Sequence, residues 1–381
     1  MPGIPLGVLD LIPIPSGSTA AEALRSTVDL ARQAERFGYA RYWFAEHHLN
    51  RGVAGTSPAV VLALTASATS TIRIGSGAVQ LGHRTALSTV EEFGLLDAVH
   101  PGRIDLGLGR SAGGPPARRA GAEPPVAYTT ANGLRIPKPF SFAHLRDHPR
   151  IALHTRLLQL PGATPQEYTE QVGDVLALLR GEYRTPEGVE GHAVPGEGAE
   201  VQVWILGSSA GVSAETAGAG GLRFTANYHV SPASVLEAAE AYRAAFKPSA
   251  EPGGLDRPYL SVSADVVVAP DDDEARELAT GYAPWVHGIR TGDGAIPFPT
   301  PEEARALTRD WSAADHELVA DRVETQFAGS PATVADALER LWEATGADEL
   351  LITTITHGHA DRVRSYRLLA GEWARRGHLH W

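Results

Sequence analysis

Short runs rich in valine, isoleucine and leucine alternate along this chain with longer stretches whose apolar residues recur every three to four positions. The runs fall at residues 4–9, 42–45, 72–78, 104–108, 201–206, 222–226, 260–268 and 349–354. A strand buried on both faces reads as such a run, and a helix that covers a sheet carries a single apolar stripe. Strands and helices in strict alternation predict a parallel α/β fold. The helix starts are punctuated. Ser57-Pro58, Thr164-Pro165, Ser231-Pro232, Thr300-Pro301 and Ser330-Pro331 each offer a capping oxygen followed by a proline whose missing N–H costs nothing at the first helical position. Thr19 with Glu22, and Thr164 with Glu167, have the spacing of a capping box. In the first helix Leu24, Val28, Ala31 and Ala34 share one face, and Gly38 ends it before the second strand.

The strand spacing stays near 30 residues through the first four units and then lengthens twice, predicting insertions at about 111–163 and 284–329. The first holds Gly113-Gly114-Pro115-Pro116, Pro124-Pro125 and Pro137-Lys138-Pro139, and should be mostly irregular. Both follow the carboxyl end of a strand, the end at which a barrel builds its active site. A lid or substrate wall is one reading and a tolerated surface loop is the other.

The chain has 381 residues, and its 43% hydrophobic content can fill a large core. A count of roughly 150 residues per domain would split it. Barrels with insertions, however, exceed ~400 residues as one unit, so residues 1–381 are expected to form a single domain. No apolar run approaches the ~20 residues that cross a bilayer. The start, Met1-Pro2-Gly3-Ile4-Pro5, has neither a basic region nor a cleavage pattern. The cytoplasm is the default compartment, with no membrane partner. Without cysteine there can be no disulfide, thiol nucleophile, zinc-thiolate site or cysteine-bound iron–sulfur cluster. A net charge of −12 with no basic stripe opposes a nucleic-acid partner and otherwise signals solubility.

Glu46-His47-His48 closes the second strand, at the functional face of a barrel. Adjacent histidines also serve as hydrogen-bonded structural groups. Residues Gly107 to Ala112 match the dinucleotide fingerprint formally, but the Gly/Pro run that follows forbids the helix which that motif must open. Arg110 can hold a phosphate bidentately or serve a structural salt bridge. Gly207-Ser208-Ser209, with Ser213 following, stands between the fifth strand and its helix and forms an anion seat of hydroxyls and backbone N–H groups. Arg110 comes from the neighbouring strand, so the two suggest one phosphate site. His357-Gly358-His359-Ala360-Asp361 looks like a metal cluster, yet no histidine follows the first strand, and these residues are read as a helix start. His144, His148 and His154 lack ligand spacing and are read as solvated, so no metal site is expected.

Taken together, the stretches 41–48, 73–79, 91–97, 101–110 and 204–209 resemble the bacterial luciferase-like flavin monooxygenase family, in its branch of single-chain oxidoreductases. They run in family order, and the resemblance covers nearly the whole chain outside the insertions. It implies a TIM (β/α)8 barrel that binds reduced FMN. His47 matches the first histidine of the family's E-H-H, beside the reactive edge of the flavin, and is the implied catalytic residue. Gly77 and Ala78 match an unusual cis peptide under the ring; Arg110, Ser208, Ser209 and Ser213 match phosphate-binding positions. His48, Gln80 and His83 fall on the substrate side. Here the chain departs from the branch, with Gly82-His83 where Pro-His is common and the Gly/Pro run where an aspartate is common. The implied activity is oxidation of a small organic substrate by molecular oxygen, with a separate flavin reductase as partner and a homodimer formed through the second and third barrel helices. The alternatives are hydride transfer with a deazaflavin coenzyme, a non-catalytic flavin-binding protein and, more remotely, a His/Asp metal hydrolase.

Overall fold

The computed structural model describes residues 3–110, 126–145 and 147–378. Parallel strands β1 (Leu6–Asp10), β2 (Arg41–Phe44), β3 (Arg73–Ser76), β4 (Ile104–Gly109), β5 (Gln202–Gly207), β6 (Arg223–Asn227), β7 (Leu260–Val268) and β8 (Glu349–Thr353) pair in sequence. β8 returns to β1, with Leu6 opposite Leu350, and the ring closes as a TIM barrel. The strands read as unbroken apolar runs because both faces are buried. Val8, Tyr42, Ile74, Leu106, Val203 and Ile352 point outward under the helices, whereas Leu9, Trp43, Trp204 and Leu351 belong to a separate inner cluster.

The amino-terminal end of the barrel is filled by charge. Arg41 pairs with Asp105 and with Glu349 (Nε to Oε1, 2.6 Å), Arg73 Nε lies 2.7 Å from Asp105 Oδ1, and Trp43 Nε1 donates to Asp105 Oδ2 at 2.9 Å. These buried groups satisfy one another where a lone charge would cost several kcal/mol. The plug leaves the carboxyl end as the open one.

Local capping signals were obeyed where nothing stronger opposed them. The capping box of Thr19 and Glu22 starts helix Ala20–Arg36, and Thr300 with Glu303 starts Pro301–Thr308 the same way. Ser330-Pro331 opens its helix as expected; Pro58 opens its helix but Ser57 makes no side-chain capping bond, and Ser231-Pro232 opens only one 3-10 turn before helix Val235–Ala245. Thr164-Pro165 does not start a helix. Helix Tyr168–Arg180 begins later, with Glu167 at an N-cap that has no side-chain bond. A cap is worth ~1 kcal/mol, and the buried Tyr168, whose hydroxyl donates to Leu108 O at 3.2 Å, anchors the start instead. In the first helix the buried stripe is Ala23, Thr27, Leu30, Ala31 and Ala34, with Leu24 and Val28 only half-buried. It is rotated because Thr27 donates to the buried Asp10 carboxylate (2.7 Å).

The third strand stops at Ser76 rather than running to 78; the Gly77–Ala78 peptide is cis, and the ladder resumes at Val79 opposite Leu108. This leaves one extra residue on the β3 side, a bulge. Ser76 Oγ fills the gap by accepting from Gly107 N–H and donating to Gly107 O, both at 2.9 Å. A side chain at Gly107 would place its Cβ 2.0 Å from Ser76 O, so only glycine fits.

The first insertion is less irregular than its prolines suggested. It contains a two-stranded hairpin, Tyr128–Thr129 with Arg135–Ile136, and helix Pro149–Leu158. His148 is not merely solvated, since its Nδ1 accepts from Arg150 N–H to cap that helix. His144 Nε2 lies 2.7 Å from Arg290 O. The run at 113–116 and Pro124-Pro125 lie outside the described residues. In the second insertion, helices Tyr282–Thr291, Pro301–Thr308 and Ala313–Thr325 lead to a short strand, Phe327–Gly329, parallel to the end of β7. Tyr282, Trp285, Val286, Phe298 and Val319 pack with Leu9, Leu11, Trp43 and Ile355, making this insertion a wall over the barrel mouth.

Candidate active site

Three consecutive residues at the end of β2 have different tasks. Glu46 is buried, and its carboxylate is a hub: Oε1 lies 2.9 Å from His48 Nε2, 3.3 Å from His83 Nε2 and 3.1 Å from Arg84 Nη2, while Oε2 accepts from Gln80 N–H at 2.9 Å. Gln80 Nε2 also donates to Glu46 O (2.5 Å). Burial alone would raise this carboxyl, but the donors from His83, Gln80, Arg84 and His48 outweigh it and hold the group at about 2. The His48 and His83 rings meet edge to face at 5.0 Å. Three residues expected on the substrate side are thereby locked to one carboxylate, immediately after the cis peptide.

His47 points elsewhere. Its backbone N–H donates to Gly55 O (2.7 Å), while its Nδ1 is buried with no hydrogen-bond partner among the described residues. Burial, reinforced by the nearby His48, pushes the imidazole down to about 4, so it is neutral at physiological pH. A buried ring nitrogen without a partner is costly unless a ligand or water completes it.

Across the mouth, Arg110 is exposed at the end of β4, and Ser208 is exposed just past β5. Ser209 is half-buried, and Ser213 is buried in the first turn of helix Val212–Ala219, whose N-cap Gly211 offers no side-chain bond. Tyr168, a residue no motif marked, stands close to both Ser213 and Arg110. An uncapped first turn flanked by a guanidinium and hydroxyls could hold an anion.

A further polar cluster on β6, β7 and the second insertion was invisible to motif reading. His229 Nδ1 lies 2.6 Å from Ser263 Oγ. The buried Asp265 accepts from Gln326 Nε2 (2.9 Å), and Arg322 donates to the Tyr282 hydroxyl through Nε (3.0 Å) and Nη2 (2.7 Å). Burial raises Asp265 to about 6 against the pull of Gln326 and Arg322. The one available signal was position, since His229 and Asp265 lie toward the carboxyl ends of strands.

The Glu46, His48 and His83 ligand atoms lie within 4.8 Å of one another, close enough to hold a metal ion. Arg84 already brings its positive charge to the shared Oε1 through Nε and Nη2, at 3.2 and 3.1 Å, and opposes a cation there. His357 and His359 turn to separate partners, Ser16 O (3.1 Å) and Asp29 Oδ2 (2.9 Å), with His359 the first residue of helix His359–Arg375.

Residues 4–349 match the family model described as luciferase-like monooxygenase. The chain belongs to this family. It is 35% identical over 372 residues to the uncharacterized protein YvbT of Bacillus subtilis, covering 97% of each chain. It is 31% identical over 366 residues to a luciferase-like monooxygenase of Escherichia coli, covering 96% of each. Among solved structures, that of apo-MsnO8 superposes with a TM-score of 0.76 at 28% identity, covering 98% of both chains. Membership of the luciferase-like monooxygenases places the chain among oxidoreductases of the monooxygenase type. Among the described residues no helix is long and apolar enough to cross a membrane.

Proposed function

We propose that this luciferase-like monooxygenase is a two-component enzyme in which reduced FMN from a separate reductase, molecular oxygen and a small organic substrate meet at the carboxyl-terminal mouth of the barrel. The observation that carries the reading is the placement of Arg110, Ser209 and the first-turn Ser213 at the same end of the barrel as His47, whose buried Nδ1 has no hydrogen-bond partner among the described residues. The residues fit the cofactor. Arg110, Ser208, Ser209 and Ser213 would hold the phosphate, and Gly77 and Ala78 would lie under the ring. Bound flavin supplies the electrons and activates oxygen.

The chain's own groups have narrower tasks. His47, neutral and without a partner at Nδ1, is the catalytic candidate, able to exchange a hydrogen bond or a proton at that atom. His48, Gln80 and His83 are fixed by Glu46 and would present a rigid edge to substrate. The second insertion keeps water from the mouth. Val60, Leu64, Leu95 and Val99 remain exposed on helices Pro58–Ala66 and Ala86–Val99, which supports a homodimer through these helices. The cytoplasm, where a reductase could deliver reduced flavin, is the proposed compartment.

Titration of the purified chain with FMN, riboflavin and a deazaflavin coenzyme, followed by oxygen uptake with reduced FMN, tests the proposal. FMN should bind better than riboflavin, and oxygen should be consumed. Binding confined to the deazaflavin, with no oxygen uptake, would replace it with hydride transfer. Tight FMN binding with oxygen uptake no faster than that of free reduced flavin would leave a flavin-binding protein.

A further inference from the structure

The wall of the mouth formed by β6 and β7 holds a hydrogen-bond chain that the flavin reading leaves unused. His229 lies two residues beyond β6; its backbone N–H donates to Ser263 O (3.2 Å), and its Nδ1 is 2.6 Å from Ser263 Oγ. The Ser263 hydroxyl also faces two acceptors, Ala226 O at 3.4 Å and Asn227 Oδ1 at 3.3 Å. A hydroxyl has one proton to give. Directing that proton to these oxygens leaves the short contact to His229 for the imidazole N–H. That arrangement puts the ring proton on Nδ1 and leaves the lone pair on Nε2.

Asn227 Nδ2 in turn donates to Ser208 Oγ (3.3 Å), so the chain of contacts starts at the anion seat and ends at this ring. Burial, the Arg322 guanidinium and His47 push His229 down to about 3, so the ring stays neutral. Its Nε2 has no hydrogen-bond partner among the described residues. The titratable groups around it are His47, Arg322 and, through Arg322, Asp265.

We propose that Ser263 fixes the His229 ring proton on Nδ1 and that His229 is thereby a second ligand-facing imidazole, a hydrogen-bond acceptor at Nε2 for a substrate bearing a hydroxyl or amide N–H. The word substrate rests on the monooxygenase reading; the acceptor itself is a property of the chain without cofactor.

The test is a long-range imidazole 15N spectrum of the full, uniformly labelled chain, with His229 assigned by its loss in H229Q. Wild-type protein should show His229 as the neutral Nδ1–H form from about pH 5 to 8, the range in which an ordinary histidine titrates. S263A should admit the other tautomer. Phenol should move the Nε2 resonance and bind roughly two- to tenfold more tightly than anisole, the effect of about one net hydrogen bond. That preference should vanish in H229F. An Nε2–H tautomer in the wild-type protein, titration near neutrality, an unmoved resonance, equal affinities or a preference that survives H229F would each overturn the proposal. The tautomer measurement needs no variant to fold. None of these readouts uses flavin, so a chain that meets them yet fails the FMN titration keeps the acceptor and loses the monooxygenase reading.

Discussion

Replacing Glu46 by glutamine removes one charge from the hub and leaves its shape. The carboxylate is 2% exposed and sits at about 2 instead of its ordinary 4.5. A tenfold displacement of a proton equilibrium is worth about 1.4 kcal/mol, so native contacts favour the charged form by roughly 3 kcal/mol. The loss expected on breaking a buried, hydrogen-bonded charge pair, about 3–5 kcal/mol, has the same size. Glu46→Gln should therefore lose about 3 kcal/mol of stability at neutral pH, because a side-chain amide cannot accept on both sides from His48, His83, Arg84 and Gln80. The sign with pH follows from the depressed value. The stabilisation is complete above about 4.5 and disappears as pH falls through the folded value near 2. The stability difference between the two proteins, measured by denaturant unfolding at a series of pH values, should be constant at neutral pH and shrink over that acid window. A difference that stayed level down to the lowest accessible pH would refute the idea that the Glu46 charge holds the site together.

Arg110→Ala should weaken FMN roughly tenfold, the lower end for a charge-assisted bond because the guanidinium is exposed, and leave riboflavin unchanged. Equal losses in a fluorescence titration would move the phosphate elsewhere. His47, held at about 4 against an ordinary 6.5, lets the unfolded chain bind the extra proton between those values, so stability should fall as pH drops through this window. The slope is about 1.4 kcal/mol per pH unit, and His47→Gln should remove it; an unchanged slope in the variant counts against the buried neutral imidazole. Light scattering should give about twice the 40.4 kDa chain mass, and Val60→Glu with Leu95→Glu should halve it without loss of helical circular dichroism. A wild-type monomer would dispose of the dimer.

The barrel was legible because its signals are local. Each strand carries its own run of Val, Ile and Leu, since a parallel sheet covered on both sides needs apolar residues at successive positions. Capping is equally local, and Thr19, Thr300 and Ser330 each accept from a residue three positions ahead. The sequence also marked Glu46-His47-His48 as a unit, but it could not divide the labour within it. Glu46 gathers His83, Arg84 and Gln80 from beyond the next strand, so its role depends on how β2 and β3 are aligned in the sheet.

Where tertiary packing competed with a local preference, packing decided. The buried Tyr168 outweighed the cap at Thr164, and the Thr27 bond to Asp10 turned the first helix away from the stripe through Leu24 and Val28. The cluster of His229, Ser263, Asp265, Tyr282 and Arg322 left no trace in any motif. Its members are spread over 94 positions of sequence, from 229 to 322, and meet only because the second insertion folds back over the ends of β6 and β7. A side chain's partners within a few residues follow from the chain itself; partners that distant exist only once the barrel has closed and the insertion has packed onto its mouth.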